Sequence, residues 1–299
     1  MKLATFKTAQ GTSYGIVTGK GIVDLKRYLG NQFPDLKSLI AGNGFADAAK
    51  QLNSAPDYKE SDITWLPVIP NPDKIVCVGL NYQDHVVETG RDNTEQPAIF
   101  LRLNESQVGH KQPILRPRES THLDYEAEIA VIIGKAGRRI KQADAWSHIA
   151  GYSCYNEGSV REYQGHNRQF GLGKNFERSG SFGPWLMTPD EFGDPAEHTL
   201  ITRLNGIERQ RAKMSGMLFD VPRIIEYLSE GYTLQPGDVI VTGSPGALPL
   251  RPGEKPEKPV GKVIVEGQLH MRPGDVCEVE VDGLGVLSNP VIADPTPLP

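Results

Sequence analysis

Glu126 and Glu128 stand one residue apart at the edge of an apolar run, Leu123-Asp124-Tyr125-Glu126-Ala127-Glu128-Ile129-Ala130-Val131-Ile132-Ile133-Gly134. A strand repeats every two side chains, so both carboxylates point to one face. Ala127, Ile129, Val131 and Ile133 fill the other. Two carboxylates side by side on a half-buried face repel each other. They stay ionised together only with positive charge between them, and a hard divalent cation is the natural candidate. The plain alternative is a strand end with two solvated acids.

Four further segments carry groups able to do chemistry. In Asn81-Tyr82-Gln83-Asp84-His85-Val86-Val87-Glu88, His85 and Glu88 are spaced i, i+3 and face the same side of a helix. A carboxylate beside an imidazole raises its basicity and orients it, as a general base near neutral pH requires. A surface ion pair is the competing reading. In Asn156-Glu157-Gly158-Ser159-Val160-Arg161-Glu162-Tyr163-Gln164, Glu157 could supply a third carboxylate to a metal. If the run is helical, Arg161 and Gln164 follow it at i+4 and i+7, and an exposed Glu–Arg pair is the alternative. Lys174 sits among glycines and aromatics in Phe170-Gly171-Leu172-Gly173-Lys174-Asn175-Phe176. It is either a desolvated cation reaching a substrate oxygen or a solvated loop lysine. The turn Val241-Thr242-Gly243-Ser244-Pro245-Gly246 offers hydroxyls and amides to a carboxylate, or is simply a turn.

Strands must position these groups. Lys74–Gly79, Ala98–Arg102, Glu126–Ile133 and Ile149–Asn156 read as strands, with a short helix after Asn81, its candidate N-cap, and Gly90 just past its end. Asn205-Gly206 marks a hairpin, and Val221–Leu228 an amphipathic helix with Pro222 in its first turn. Pro236-Gly237-Asp238 and Pro273-Gly274-Asp275 open two late strands. Residues 1–66 form a small unit of three short strands and two helical patterns, closed by Pro67, Pro70 and Pro72. Residues 67–299 form the large unit. Strands dominate without βαβ alternation, so the expected class is α+β with a mixed, largely antiparallel sheet system. Residues 248–262 read as a polar, Pro-rich loop, and the Pro-rich tail after Asn289 as poorly ordered.

Composition narrows the function. Lys and Arg number 32 against 37 Asp and Glu, a net charge of −5, which disfavours bulk nucleic-acid or acidic-membrane binding. An anionic small-molecule substrate must therefore be drawn in by local cations. Cys77, Cys154 and Cys277 are odd in number and widely spaced, which argues against disulfides or a zinc site. With no h-region near Met1 and no stretch of membrane-spanning length, a cytoplasmic protein is expected.

Taken together, the five segments resemble the fumarylacetoacetate hydrolase superfamily over roughly residues 70 to 290, in the family's order. The resemblance implies a β-rich mixed-sheet roll, usually a homodimer with the active site near the interface. It implies a Mg²⁺ site, alternatively Mn²⁺ or Ca²⁺, at Glu126, Glu128 and Glu157. It implies that His85 and Glu88 lie on a lid over the substrate, His85 activating water, and that Lys174 stabilises oxyanion charge. Tyr82, Arg102, Arg161, Gln164, Thr242 and Ser244 would contact the substrate.

Three departures from the family pattern stand out. Glu157 replaces the usual aspartate, so an extra methylene must be absorbed. Arg102 stands where a lysine is usual, offering a fork rather than a point donor. Gly246-Ala247-Leu248-Pro249 replaces a Gly-Val-Gly segment and leads into the polar loop. The expected reaction is metal-dependent hydrolysis of a C–C bond in a 2,4-dioxo acid, acylpyruvate-like or fumarylacetoacetate-like. The alternatives are decarboxylation, hydration or tautomerisation of a 2-oxo acid at the same site, or a family member kept as a non-catalytic binding module.

Overall fold

Ala127–Ile133 lies at the heart of the fold, and all seven of its residues are buried. In the computed structural model, which describes residues 1–88, 94–167, 169–255 and 269–297, with the Glu88 side chain outside that set, this strand is central to an eleven-stranded sheet. Ile149–Asn156 pairs with it antiparallel on one side and Val239–Val241 antiparallel on the other. Val239–Val241 then runs parallel to Ile75–Gly79, which pairs antiparallel with the edge strand Ala98–Arg102. On the far side, Gly180–Met187 pairs with Ile149–Asn156 and receives Lys2–Thr8. The N-terminal hairpin of Lys2–Thr8 and Gly11–Thr18 thus continues the same sheet.

A second, five-stranded sheet runs in the order Ile207–Lys213, Thr199–Leu204, Val276–Val281, Gly285–Ala293, Ile114–Arg116. The hairpin at Asn205-Gly206 forms with φ of 53° and 76°, the left-handed values its tight turn requires. Gly285–Ala293 extends beyond Asn289 because Val291, Ile292 and Ala293 pair in parallel with Ile114, Leu115 and Arg116. The expectation of a loose tail from Asn289 onward is corrected by that pairing.

Both faces of Ala127–Ile133 are covered, so alternation is absent where the sequence suggested a half-buried face. Ile129, Val131 and Ile133 pack with Leu200, Val279 and Val281 of the second sheet and with Ile224, Ile225 and Leu228. Those last three belong to the helix Val221–Gly231, whose first turn is capped when Asp220 accepts a hydrogen bond from the Arg223 N–H. Ala130 and Ile132 face the other way, toward Leu3, Ile16, Leu36 and Leu39 of the N-terminal segment. The architecture is α+β, a strand-rich mixed-sheet fold with three parallel pairings among the described strands. The three cysteines are free and buried. No helix among the described residues is long and apolar enough to cross a membrane.

Candidate active site

Register brings the acids together. Ala127 pairs with Asn156, so the end of Ile149–Asn156 lies beside the start of Ala127–Ile133. The Asn156 side chain accepts a hydrogen bond from the Glu126 N–H at 3.1 Å, and the Glu157 N–H donates to the Glu126 carbonyl at 2.9 Å. Glu126, Glu128 and Glu157 are all buried, and ligand atoms of the three lie within 4.8 Å of one another.

Two cations enter the cluster. Lys174, in the turn Leu172–Lys174, donates from Nζ to Glu126 Oε2 at 2.6 Å and to Glu157 Oε2 at 2.8 Å. Arg161 pairs with Glu126 Oε1 at 2.7 Å and with Asp124 Oδ2 at 2.6 and 2.8 Å, and it donates to Gln164 Oε1 at 2.6 Å. The Glu128 carboxylate accepts from the Gly243 N–H, at a glycine whose φ is 104°. A side chain at that position would meet Asn81 Cβ at 2.6 Å, so only glycine fits the turn.

Four buried carboxyl groups thus face two directly paired cations, an excess of two negative charges when all four are ionised. The titration of the acids reflects this. Burial pushes the Glu128 carboxyl well above the usual range, and repulsion from Glu157 and Glu126 adds to the rise. Burial also raises Glu157, against the pull of Lys174. For Glu126, burial is outweighed by Lys174 and Arg161, and its carboxyl is held below the usual range. Lys174 keeps its proton beyond the ordinary lysine value because Glu126 and Glu157 overcome the cost of burial.

These donors fit a hard divalent cation. All three are carboxylates, the excess charge is two, and Glu157 Oε1 is buried with no hydrogen-bond partner among the described residues. A buried carboxylate oxygen left unpaired is costly unless a cation takes it up.

The remaining expected residues divide. His85, Arg161, Gln164, Lys174 and Ser244 line one pocket with the three acids. Val78, Leu80, Phe100 and Phe170 form its apolar wall, and the Lys174 ammonium stands 5.0 Å from the Phe100 ring centre. Tyr82, Arg102 and Thr242 do not line it. Tyr82 is buried beside it, bridged to Met217. The Arg102 guanidinium is committed to Ser106, to the Gly158 carbonyl and to Ser179, at 3.2, 3.0 and 3.0 Å. The fork that distinguishes it from lysine is used on the Gly158 carbonyl, next to Glu157, and on the Ser179 hydroxyl. The Thr242 hydroxyl turns to the Ile129 carbonyl. Arg161 and Gln164 share the short helix Arg161–Gln164, but Glu157 precedes it across the strand Ser159–Val160, so the three do not form one helical row. His85 lies on the helix Gln83–Glu88. Gly90 falls outside the described residues, as does the Glu88 side chain.

One residue was passed over in the sequence, and another takes a different role from the one expected. Asp124, fully buried under Arg161, lies at the same period-two spacing as Glu126 and Glu128, which was the available signal. Asn81 is no helix cap. Its Nδ2 donates to the Phe219 and Thr242 carbonyls at 2.9 and 2.7 Å, and its Oδ1 accepts from the Phe219 N–H at 2.7 Å. It ties the start of the His85 segment to the Thr242 turn. Asn81→Ala is expected to leave these groups unpaired, costing about 2–4 kcal/mol in a urea denaturation and lowering turnover with it.

The extra methylene of Glu157 has a visible role. Its backbone is fixed by the bond to Glu126 and by Arg102 on Gly158. An aspartate there would fall short of Lys174 and of the other acids. Glu157→Asp is expected to weaken divalent-cation binding roughly tenfold by calorimetry.

An α+β roll that gathers three buried carboxylates around a lysine defines a carboxylate-lined site for a divalent cation. The fumarylacetoacetate (FAA) hydrolase C-terminal family matches residues 74–292. Over 98% of this chain and 90% of the relative, the sequence is 34% identical to the mitochondrial oxaloacetate tautomerase fahd2 of Xenopus laevis. It is 36% identical to the oxaloacetate tautomerase YisK of Bacillus subtilis, over 78% of this chain and 75% of that protein. A solved structure of maleylpyruvate hydrolase from Sphingobium sp. SYK-6, in complex with manganese(II) ion and pyruvate, superposes with a TM-score of 0.78 at 26% identity, covering 98% of this chain and 99% of that one. The chain belongs to the fumarylacetoacetate hydrolase family.

Proposed function

We propose that this chain is a divalent-metal-dependent tautomerase of a short 2-oxo acid of the oxaloacetate type. The observation that carries the reading is the meeting of Glu126, Glu128, Glu157 and Lys174 in one pocket. The names of the relatives favour tautomerisation over the C–C hydrolysis expected from the sequence, so the order of those two readings is reversed.

Keto–enol exchange moves one proton between C3 and the oxygen on C2 and leaves the carbon skeleton intact. Bound by Glu126, Glu128 and Glu157, Mg²⁺ or Mn²⁺ would supply a Lewis acid for the 2-oxo and carboxylate oxygens. His85, half-buried at the pocket wall, takes the proton from C3 and delivers it to the oxygen on C2, and carries it back in the reverse direction. The Lys174 ammonium, fixed by two carboxylates, holds positive charge near the oxygen end. Gln164 and Ser244 orient the acid, and Val78, Leu80, Phe100 and Phe170 exclude water from one side.

The test uses freshly dissolved enol-oxaloacetate, followed by the ultraviolet absorbance of the enol, with and without EDTA. The expected result is a metal-dependent acceleration toward the keto–enol equilibrium with no pyruvate released. C–C hydrolysis remains the second reading because a hydrolase of this fold holds pyruvate and manganese. Cleavage of an acylpyruvate into two acids, with no acceleration of enol exchange, would replace the first reading by the second. Loss of neither substrate would leave a binding module. We further propose a homodimer, and residues 1–66 as a small N-terminal unit whose hairpin extends the large sheet of 67–299.

A further inference from the structure

Gln210 lies on the strand Ile207–Lys213 and is only 3% exposed. Its side chain reaches three separate parts of the chain. Oε1 accepts from the Ala127 N–H at 3.0 Å and from the Thr202 hydroxyl at 2.6 Å. Nε2 donates to the Pro245 carbonyl at 2.7 Å. Ala127 is the residue between Glu126 and Glu128, and Pro245 follows Ser244 on the pocket wall. One buried amide therefore spans from the acids to the facing turn.

The sheet creates the need for it. Ala127–Ile133 pairs with Val239–Val241 only from Ala130 to Ile132. Past that point Thr242 still reaches the Ile129 carbonyl, and then the chain turns away and places the Gly243 N–H on Glu128. The Ala127 N–H, fully buried, has lost its neighbouring strand on that side. A buried N–H must find another partner. Gln210 supplies it, and the same amide uses its donor end on Pro245. An amide has one acceptor end and one donor end, so this arrangement fixes which way round it sits.

We propose that Gln210 is a positioning residue for the metal centre. It holds the peptide that carries Glu126 and Glu128 at a set distance from the Ser244 turn. Gln210 does not line the pocket, so it acts through the backbone of its neighbours. The consequence for cation binding rests on the reading of the site given above, whereas the bond to Ala127 does not.

The test compares Gln210→Glu and Gln210→Met with Thr202→Val. Glutamate keeps the size and the acceptor but sets an oxygen against the Pro245 carbonyl. Methionine removes both functions at similar volume. Valine at 202 removes one bond to the same amide and touches neither Ala127 nor Pro245. Three quantities are measured: amide exchange at Ala127 in metal-free protein, the Mn²⁺ dissociation constant, and kcat and KM for the enol substrate. For Gln210→Met, Ala127 exchange is expected to rise at least about tenfold relative to Val131. For both Gln210 variants, Mn²⁺ binding is expected to weaken about 10–100-fold and kcat to fall more than KM changes. Thr202→Val lowers Tm and leaves the Mn²⁺ constant unchanged. A folded Gln210 variant that binds Mn²⁺ within twofold of wild type overturns the proposal, as does failure of both variants to fold. If the wild type takes up no Mn²⁺, the metal reading itself fails. Ala127 exchange in Gln210→Met then decides alone, and an unchanged rate overturns the role of Gln210.

Discussion

Lys174→Met is expected to silence the enzyme and to destabilise it by about 3–5 kcal/mol in metal-free buffer. Lys174 is nearly fully buried, and its ammonium is the direct link between Glu126 and Glu157. Methionine keeps much of the volume and removes the charge, leaving carboxylates in a dry cluster with Arg161 as their remaining paired cation. For a chain of this length the loss corresponds to a fall in Tm on the order of 10 °C. Saturating Mg²⁺ should recover part of it, because a bound cation replaces some of the missing charge. The pH dependence follows from the same acids. Glu128 and Glu157 have carboxyls raised in the folded state, so in metal-free protein these two groups hold more protons folded than unfolded. Their contribution to stability therefore falls as pH rises from the ordinary carboxylate range through the raised values. Thermal melts from pH 4 to 8, with and without Mg²⁺, should show the stabilisation by metal growing with pH. A variant with wild-type turnover and an unchanged melt would remove Lys174 from the site.

His85→Ala is expected to lower kcat by about 10²–10⁴ while the Mg²⁺ dissociation constant stays at its wild-type value. His85 lines the pocket from the helix Gln83–Glu88, and it is not one of the three clustered acids. Its loss should therefore separate proton transfer from cation binding. A parallel drop in cation affinity would mean that His85 shapes the acidic cluster instead. Unchanged turnover would leave the proton to another group.

The acids were legible in the sequence because strand periodicity places Glu126 and Glu128 together without any tertiary knowledge. Lys174 was legible as a candidate by its setting among glycines and aromatics, but not as the bridge it forms. That depends on the turn Leu172–Lys174 meeting two strands from elsewhere in the chain. Arg102 suggested a substrate contact by its charge, and nothing in the sequence signals that Ser106, Gly158 and Ser179 each take one of its guanidinium nitrogens. Tyr82 and Thr242 lie beside the pocket rather than on its wall, a distinction of side-chain direction that no local pattern carries. Asn81 and Gln210 do their work through amide bonds to backbone groups far away in sequence, and no local pattern announces such partners. The two-faced burial of Ala127–Ile133 was hidden by Glu126 and Glu128 themselves, which lent a half-exposed look to a strand enclosed on both sides.

Anomalous diffraction from crystals soaked in Mn²⁺ would show whether one cation sits among the three acids. One strong peak bonded to the carboxylates of Glu126, Glu128 and Glu157, and absent in Glu128→Gln crystals, is the predicted result. A map with no peak among these carboxylates, or with manganese held elsewhere by other residues, would contradict it.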